Sequence, residues 1–86
     1  MAEKKNTKSS VVFTGKTVMR NTYTITVIVD EGTINEIKIL GKPNLMVAET
    51  CQAFALKHPK NITDVLSVIK LEMIRHNEFV SEIRNG

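Results

Sequence analysis

Residues 22–29 read Thr-Tyr-Thr-Ile-Thr-Val-Ile-Val, an alternation that an extended strand sorts onto two faces. Tyr23, Ile25, Val27 and Val29 fall on one side, and Thr24, Thr26 and Ile28 on the other. A chain carrying this segment has to build a sheet with one buried face. The whole stretch from Ser10 to Leu40 is rich in Val, Ile and Thr, which suits further strands. Asp30-Glu31-Gly32 makes the turn after the first clear strand. A two-residue loop of Glu31-Gly32 sets Ile37 opposite Thr26. A three-residue loop sets Ile37 opposite Ile25, Ile39 opposite Tyr23 and Ile34 opposite Ile28, with Glu36 facing Thr26 and Lys38 facing Thr24. The second register matches apolar with apolar and uses Gly32 as its left-handed residue, so it is the one expected. Upstream, a strand lies within Val11–Met19; Gly15-Lys16 could break it, but a longer hairpin closed at Arg20-Asn21, with a kink at Gly15, is the reading favoured.

Gly41-Lys42-Pro43 ends the sheet, and beyond it the hydrophobic period becomes helical. Asn44 caps a helix through about Lys57, with Val47, Ala48, Cys51, Phe54 and Ala55 as its apolar stripe. Pro59 stops it. Asn61 caps a second helix, with Asp64 in its first turn, where negative charge is favoured. Ile62, Leu66, Ile69, Met73, His76, Val80 and Ile83 recur every three or four residues, which predicts a helix running into the C-terminal segment. Val65, Val68 and Phe79 widen that stripe, whereas Leu71 and Ile74 project roughly opposite it. The expected fold is therefore α+β: a three-stranded antiparallel β-meander followed by two α-helices packed on one sheet face (βββαα). Tyr23, Ile25, Val27, Ile37 and Ile39 should meet Phe54, Leu66, Ile69 and Met73. Residues 10–86 form this single domain, and residues 1–9 are expected to be a disordered basic arm.

With 86 residues there is room for one core. The aromatics number only four, Phe13, Tyr23, Phe54 and Phe79, so Ile, Val and Leu must fill it. The net charge of +3 is uneven. Residues 1–20 hold Lys4, Lys5, Lys8, Lys16 and Arg20 against Glu3 alone, while the remainder is slightly acidic. No charged groove for nucleic acid is evident in the body of the chain. A single cysteine, Cys51, rules out an intramolecular disulfide and a zinc site built on several thiolates. No apolar run reaches the length of a membrane-spanning helix, and MAEKKNTKSS lacks a hydrophobic signal segment, so no membrane association and a cytoplasmic location are expected.

Candidate chemistry is thin. Cys51 lies on an apolar stripe with no basic neighbour in sequence, which predicts a buried structural thiol. Glu72 stands one turn before His76 and could orient its imidazole, but no nucleophile or oxyanion site accompanies them. His58 falls in a loop, and no His-x-x-x-His spacing exists for a metal. Thr14-Gly15-Lys16-Thr17 contains Gly-Lys-Thr, yet a phosphate loop needs an earlier glycine at position 10, which is Ser10, and a helix afterwards. No catalytic residue, cofactor or metal is expected. Lys4, Lys5 and Lys8 could contact phosphates, each adding salt-dependent affinity, without surface aromatics for base stacking. Leu71 and Ile74, rimmed by Lys70, Arg75 and Glu78, have the make-up of an interface: an apolar centre with a charged border.

The stretch from Thr14 to Ile69 resembles the TSCPD domain, which occurs at the C-terminus of some coenzyme-B12-dependent ribonucleotide reductases and also alone. The resemblance rests on Gly15 with Thr17, Ile25–Val29, Asp30-Glu31-Gly32, Glu36 with Ile37, Gly41-Lys42, Ala55-Leu56, and Ile62 with Asp64-Val65-Leu66. The Thr-Ser-Cys-Pro-Asp motif is absent, and Cys51 does not sit in a glycine-cysteine turn. What the resemblance implies is the scaffold and an accessory, non-catalytic role linked to nucleotide metabolism. The residues themselves favour a non-enzymatic interaction module that binds another protein or a second copy of itself, ahead of a weak nucleic-acid binder using the basic arm.

Overall fold

The structure, a computed structural model, describes residues 8–57 and 61–85. Three strands, β1 (Lys8–Thr17), β2 (Thr22–Asp30) and β3 (Thr33–Gly41), form an antiparallel meander. Two helices follow, α1 (Leu45–Lys57) and α2 (Ile62–His76), and then a fourth strand, β4 (Asn77–Asn85). β4 pairs antiparallel with β1, giving one four-stranded sheet in the order β3-β2-β1-β4. The fold is α+β as the sequence predicts, with the order βββααβ in place of βββαα.

The two hairpins divide the turn chemistry differently from the expectation. In the β2–β3 turn both central residues have positive φ, Glu31 at 54° and Gly32 at 76°, so a two-residue type I′ turn joins Asp30 to Thr33. The three-residue loop belongs to β1–β2. There Val18-Met19-Arg20 is closed by Arg20 N–H donating to the Thr17 carbonyl at 2.8 Å and Thr17 N–H to the Asn21 carbonyl at 2.9 Å, with Arg20 left-handed at φ 65°. The Thr17 hydroxyl oxygen also accepts from the Asn21 N–H at 3.1 Å. β1 runs through Gly15 without a register break against β2, so the expected kink there is absent.

The expected β2–β3 register is also corrected. Val29 pairs with Ile34, and then the register shifts so that Val27 faces Ile37 and Ile25 faces Ile39. Thr26 faces Lys38 and Ile28 faces Glu36. The cause is the spacing of Ile34 and Ile37. Three residues apart, they would point to opposite faces of an unbroken strand; one extra residue at Asn35-Glu36 reverses the alternation and turns both isoleucines inward.

The helices cover one face of this sheet, α1 over β3 and α2 over β4 and β1, and they pack against each other. Their starts are fixed by side-chain caps. Asn44 Oδ1 accepts from Met46 N–H at 2.8 Å. Asn61 Oδ1 accepts from Asp64 N–H at 3.3 Å, while Asn61 Nδ2 donates back to the Asp64 carboxylate at 2.8 Å. The core is one cluster: Val11, Phe13, Tyr23, Ile25, Val27, Val29 and Ile34 from the sheet against Val47, Cys51, Val65, Leu66, Ile69 and Met73 from the helices. Ile37, Ile39, Phe54, Ile62 and Val80 pack at its margin. The expected meeting of sheet isoleucines with Phe54, Leu66, Ile69 and Met73 is thus present. Burying each large side chain contributes roughly 1.5–3 kcal/mol before conformational entropy is subtracted.

The helix predicted to include Val80 and Ile83 stops at His76. Helix and strand readings of residues 77–85 differ in one respect: in a helix Val80 and Ile83 share a face, whereas in a strand they oppose. Val80 packs on the core and Ile83 is exposed on the other side, as a strand requires. Pairing with β1 satisfies the backbone groups that β1 would otherwise present as a free edge. Val68, expected to widen the buried stripe, is instead partly exposed.

Candidate protein-interaction surface

The geometry of α2 follows from four buried positions, Val65, Leu66, Ile69 and Met73. At about 100° per residue these set the core-facing side, and Leu71 projects about 180° from its centre. Leu71 is 60% exposed, Ile74 52% and Val68 43%. Val68 lies toward α1 and Lys70 toward β4, where its ammonium reaches Glu82 at 3.3 Å. Arg75 pairs with Glu72 at 3.5 Å yet keeps 73% of its side chain exposed. Glu78, expected on the helix rim, lies in β4 instead and drops out of the helical surface.

Sequence reasoning missed that α1 continues this apolar surface. Leu45, Met46 and Leu56 are all at least half exposed, on the side of α1 opposite Val47 and Cys51. The signal was present: Leu45, Glu49, Gln52 and Leu56 recur at four, three and four residues, one helical stripe away from the buried one.

At the edge of this layer, Glu82 points toward the helices from the outer strand. A side-chain hydrogen bond from Arg84 holds its carboxyl below the usual carboxylate range; partial burial opposes this, and Lys70 adds to it. An inward charge on an edge strand discourages pairing with another chain along β4.

The other sequence candidates separate in space. Cys51 is buried between α1 and the sheet, and desolvation pushes its thiol up to about 11. His76 Nε2 lies 3.6 Å from the Glu72 carboxylate and lines an open cavity of about 220 Å³ with Thr17, Val18, Met19, Asn21, Lys42, Pro43 and Asn44. Cys51 does not line that cavity, so the one thiol and this imidazole do not meet there. Thr14-Gly15-Lys16-Thr17 lies within β1, in an extended conformation that cannot wrap a phosphate with successive N–H groups. Among the described residues no group of three or more His, Cys, Asp or Glu could hold a metal ion, and no helix is long and apolar enough to cross a membrane. Lys4, Lys5 and His58 lie outside the described residues. Lys8 opens β1, opposite Asp30 in the ladder, and so belongs to the sheet.

No protein-family model, no curated protein and no solved structure matches the chain.

Proposed function

We propose that the protein is a non-enzymatic interaction module that binds protein through the outer face of its helical layer. The observation that carries this reading is the position of Leu71. It stands opposite the buried stripe of α2, more than half exposed, with Val68 and Ile74 beside it. Single exposed apolar residues are ordinary, but a contiguous group bordered by charge has the anatomy of an interface.

The test is site-specific photocrosslinking in the organism that makes the protein, with a benzophenone amino acid at position 71 and, as control, at Thr26 on the sheet face opposite the helices. Position 71 should yield a discrete adduct that the control lacks, and Ile74→Asp should remove it while the melting curve stays that of a folded chain. Recovery of uncrosslinked chain alone from position 71 would refute the reading.

A further inference from the structure

We infer that the occupant of this surface is a second copy of the chain, stacked helix layer on helix layer about a two-fold axis perpendicular to the helices. The inference rests on the proposed docking role of the outer α2 face and names its partner.

The outward stripe of α2 is Asp64, Val68, Leu71 and Arg75, spaced four, three and four residues apart. Acid, apolar, apolar, base is complementary to itself when reversed. An antiparallel copy sets Asp64 against Arg75 of the partner, and Val68 against the partner's Leu71, twice over. Both charged groups stand at the surface: Asp64 is exposed, and most of the Arg75 side chain is in solvent. Isologous contacts require this property, since each element must meet its own reverse.

α1 supplies an independent check, because a two-fold axis that reverses α2 must also reverse α1. Its outward stripe is Leu45, Glu49, Gln52 and Leu56, again spaced four, three and four. Reversed on itself, this sets Leu45 against the partner's Leu56 and Glu49 against the partner's Gln52, an apolar contact and a hydrogen-bonding pair. The two stripes also share one centre. Asn44, at the start of α1, and His76, at the end of α2, line the same cavity, so those two ends lie near one another and the helices run in opposite directions. Counting inward from them, the midpoint of Leu45 and Leu56 lies as many residues along α1 as the midpoint of Asp64 and Arg75 lies along α2. One axis therefore serves both helices.

The test uses the purified full chain. Its absolute mass, by sedimentation equilibrium across a hundredfold concentration range, should rise from monomer to dimer. Asp64→Arg alone and Arg75→Asp alone each place like charges together at both ends and should weaken the dimer about tenfold or more. An equimolar mixture of the two variants restores opposite charges at both ends and should dimerise as the native chain does. Because Asp64→Arg also removes a cap contact with Asn61, Leu56→Lys, at the end of α1 remote from its Asn44 cap, serves as a second variant and should likewise give monomer with an unchanged melting curve. A native chain that stays monomeric throughout overturns the inference, as does a dimer indifferent to these substitutions or one that the mixture fails to restore. A heterologous adduct from position 71 together with a monomeric pure chain would overturn self-pairing and leave the docking reading standing; no adduct and no dimer would end both.

Discussion

Gly15 stands directly opposite Tyr23 in the β1–β2 ladder, and the tyrosine is almost fully buried. A Cβ placed on Gly15 would lie 2.6 Å from Cζ and from Oη of that ring and 2.8 Å from Cε1. The ring therefore lies across the glycine, and the core holds it there. Gly15→Ala has to displace a buried aromatic, an overpacking error that costs about 2 kcal/mol, within a range of about 1–3. For a domain of this size that lowers Tm by about 10 °C. The whole stability of 86 residues is of the order of 4–13 kcal/mol, so the variant should still fold. Replacing Tyr23 with Leu removes the ring atoms in question. In that background the same Gly15→Ala change should stabilise by about 0.5–1 kcal/mol, because alanine costs less conformational entropy than glycine in a strand. The coupling between the two sites is thus about 2.5–3 kcal/mol. Urea unfolding of the four proteins, followed by far-ultraviolet circular dichroism, measures it. Equal losses from Gly15→Ala in both backgrounds would refute the steric account, and a strain at Gly15 itself would have to replace it.

Glu31→Asn should raise stability by about 0.5–1 kcal/mol, since Asn tolerates the φ of 54° and makes an Asn-Gly type I′ turn; a lower urea midpoint would count against that turn. With its thiol pushed up to about 11 by burial, Cys51 should resist alkylation at pH 8 in the folded chain and react only as fast as the fold opens. Labelling as rapid as in urea would show the site to be accessible. Glu82 has its carboxyl held below 4.5 in the folded state, so its ionised form stabilises above the unfolded value and that contribution is lost as pH falls through the folded one. Glu82→Gln should accordingly lower Tm at neutral pH, with the gap to the native chain closing on acidification; a gap that widens below pH 4.5 would reverse the assignment.

The alternation of β2, both helix caps and most of the core, though not Val68 or Ile83, were legible because each depends on neighbours within a few residues. Asn44 and Asn61 cap where the sequence places them, and Val47, Cys51, Leu66, Ile69 and Met73 are buried as their spacing demands. What failed depended on partners across the sheet. The register of β3 turns on an extra residue at Asn35-Glu36, whose only local sign is two polar residues between inward isoleucines. β4 was hidden because Val80 and Ile83 fit a helical stripe as well as they fit a strand, and only the unpaired edge of β1, some 70 residues earlier, decides between them. Gly15 suggested a kink from identity alone, whereas its reason is a ring supplied by the neighbouring strand.

The position of β4 also sharpens the candidate surface. With α1 packed along the Val68 side of α2 and β4 along the Lys70 side, both flanks of the helix are occupied, and among the described residues Leu71 remains uncovered. A heterologous partner needs only one apolar stripe to bind. A two-fold copy demands more: two stripes on two helices, each complementary to its own reverse and centred at one level. The residues that separate these cases lie on α1 and not on α2. Leu71→Asp would weaken either kind of complex. Leu45 and Leu56, at opposite ends of α1, must both contribute if the helix layers stack, and swapping the charges at Asp64 and Arg75 tests the direction in which they do so.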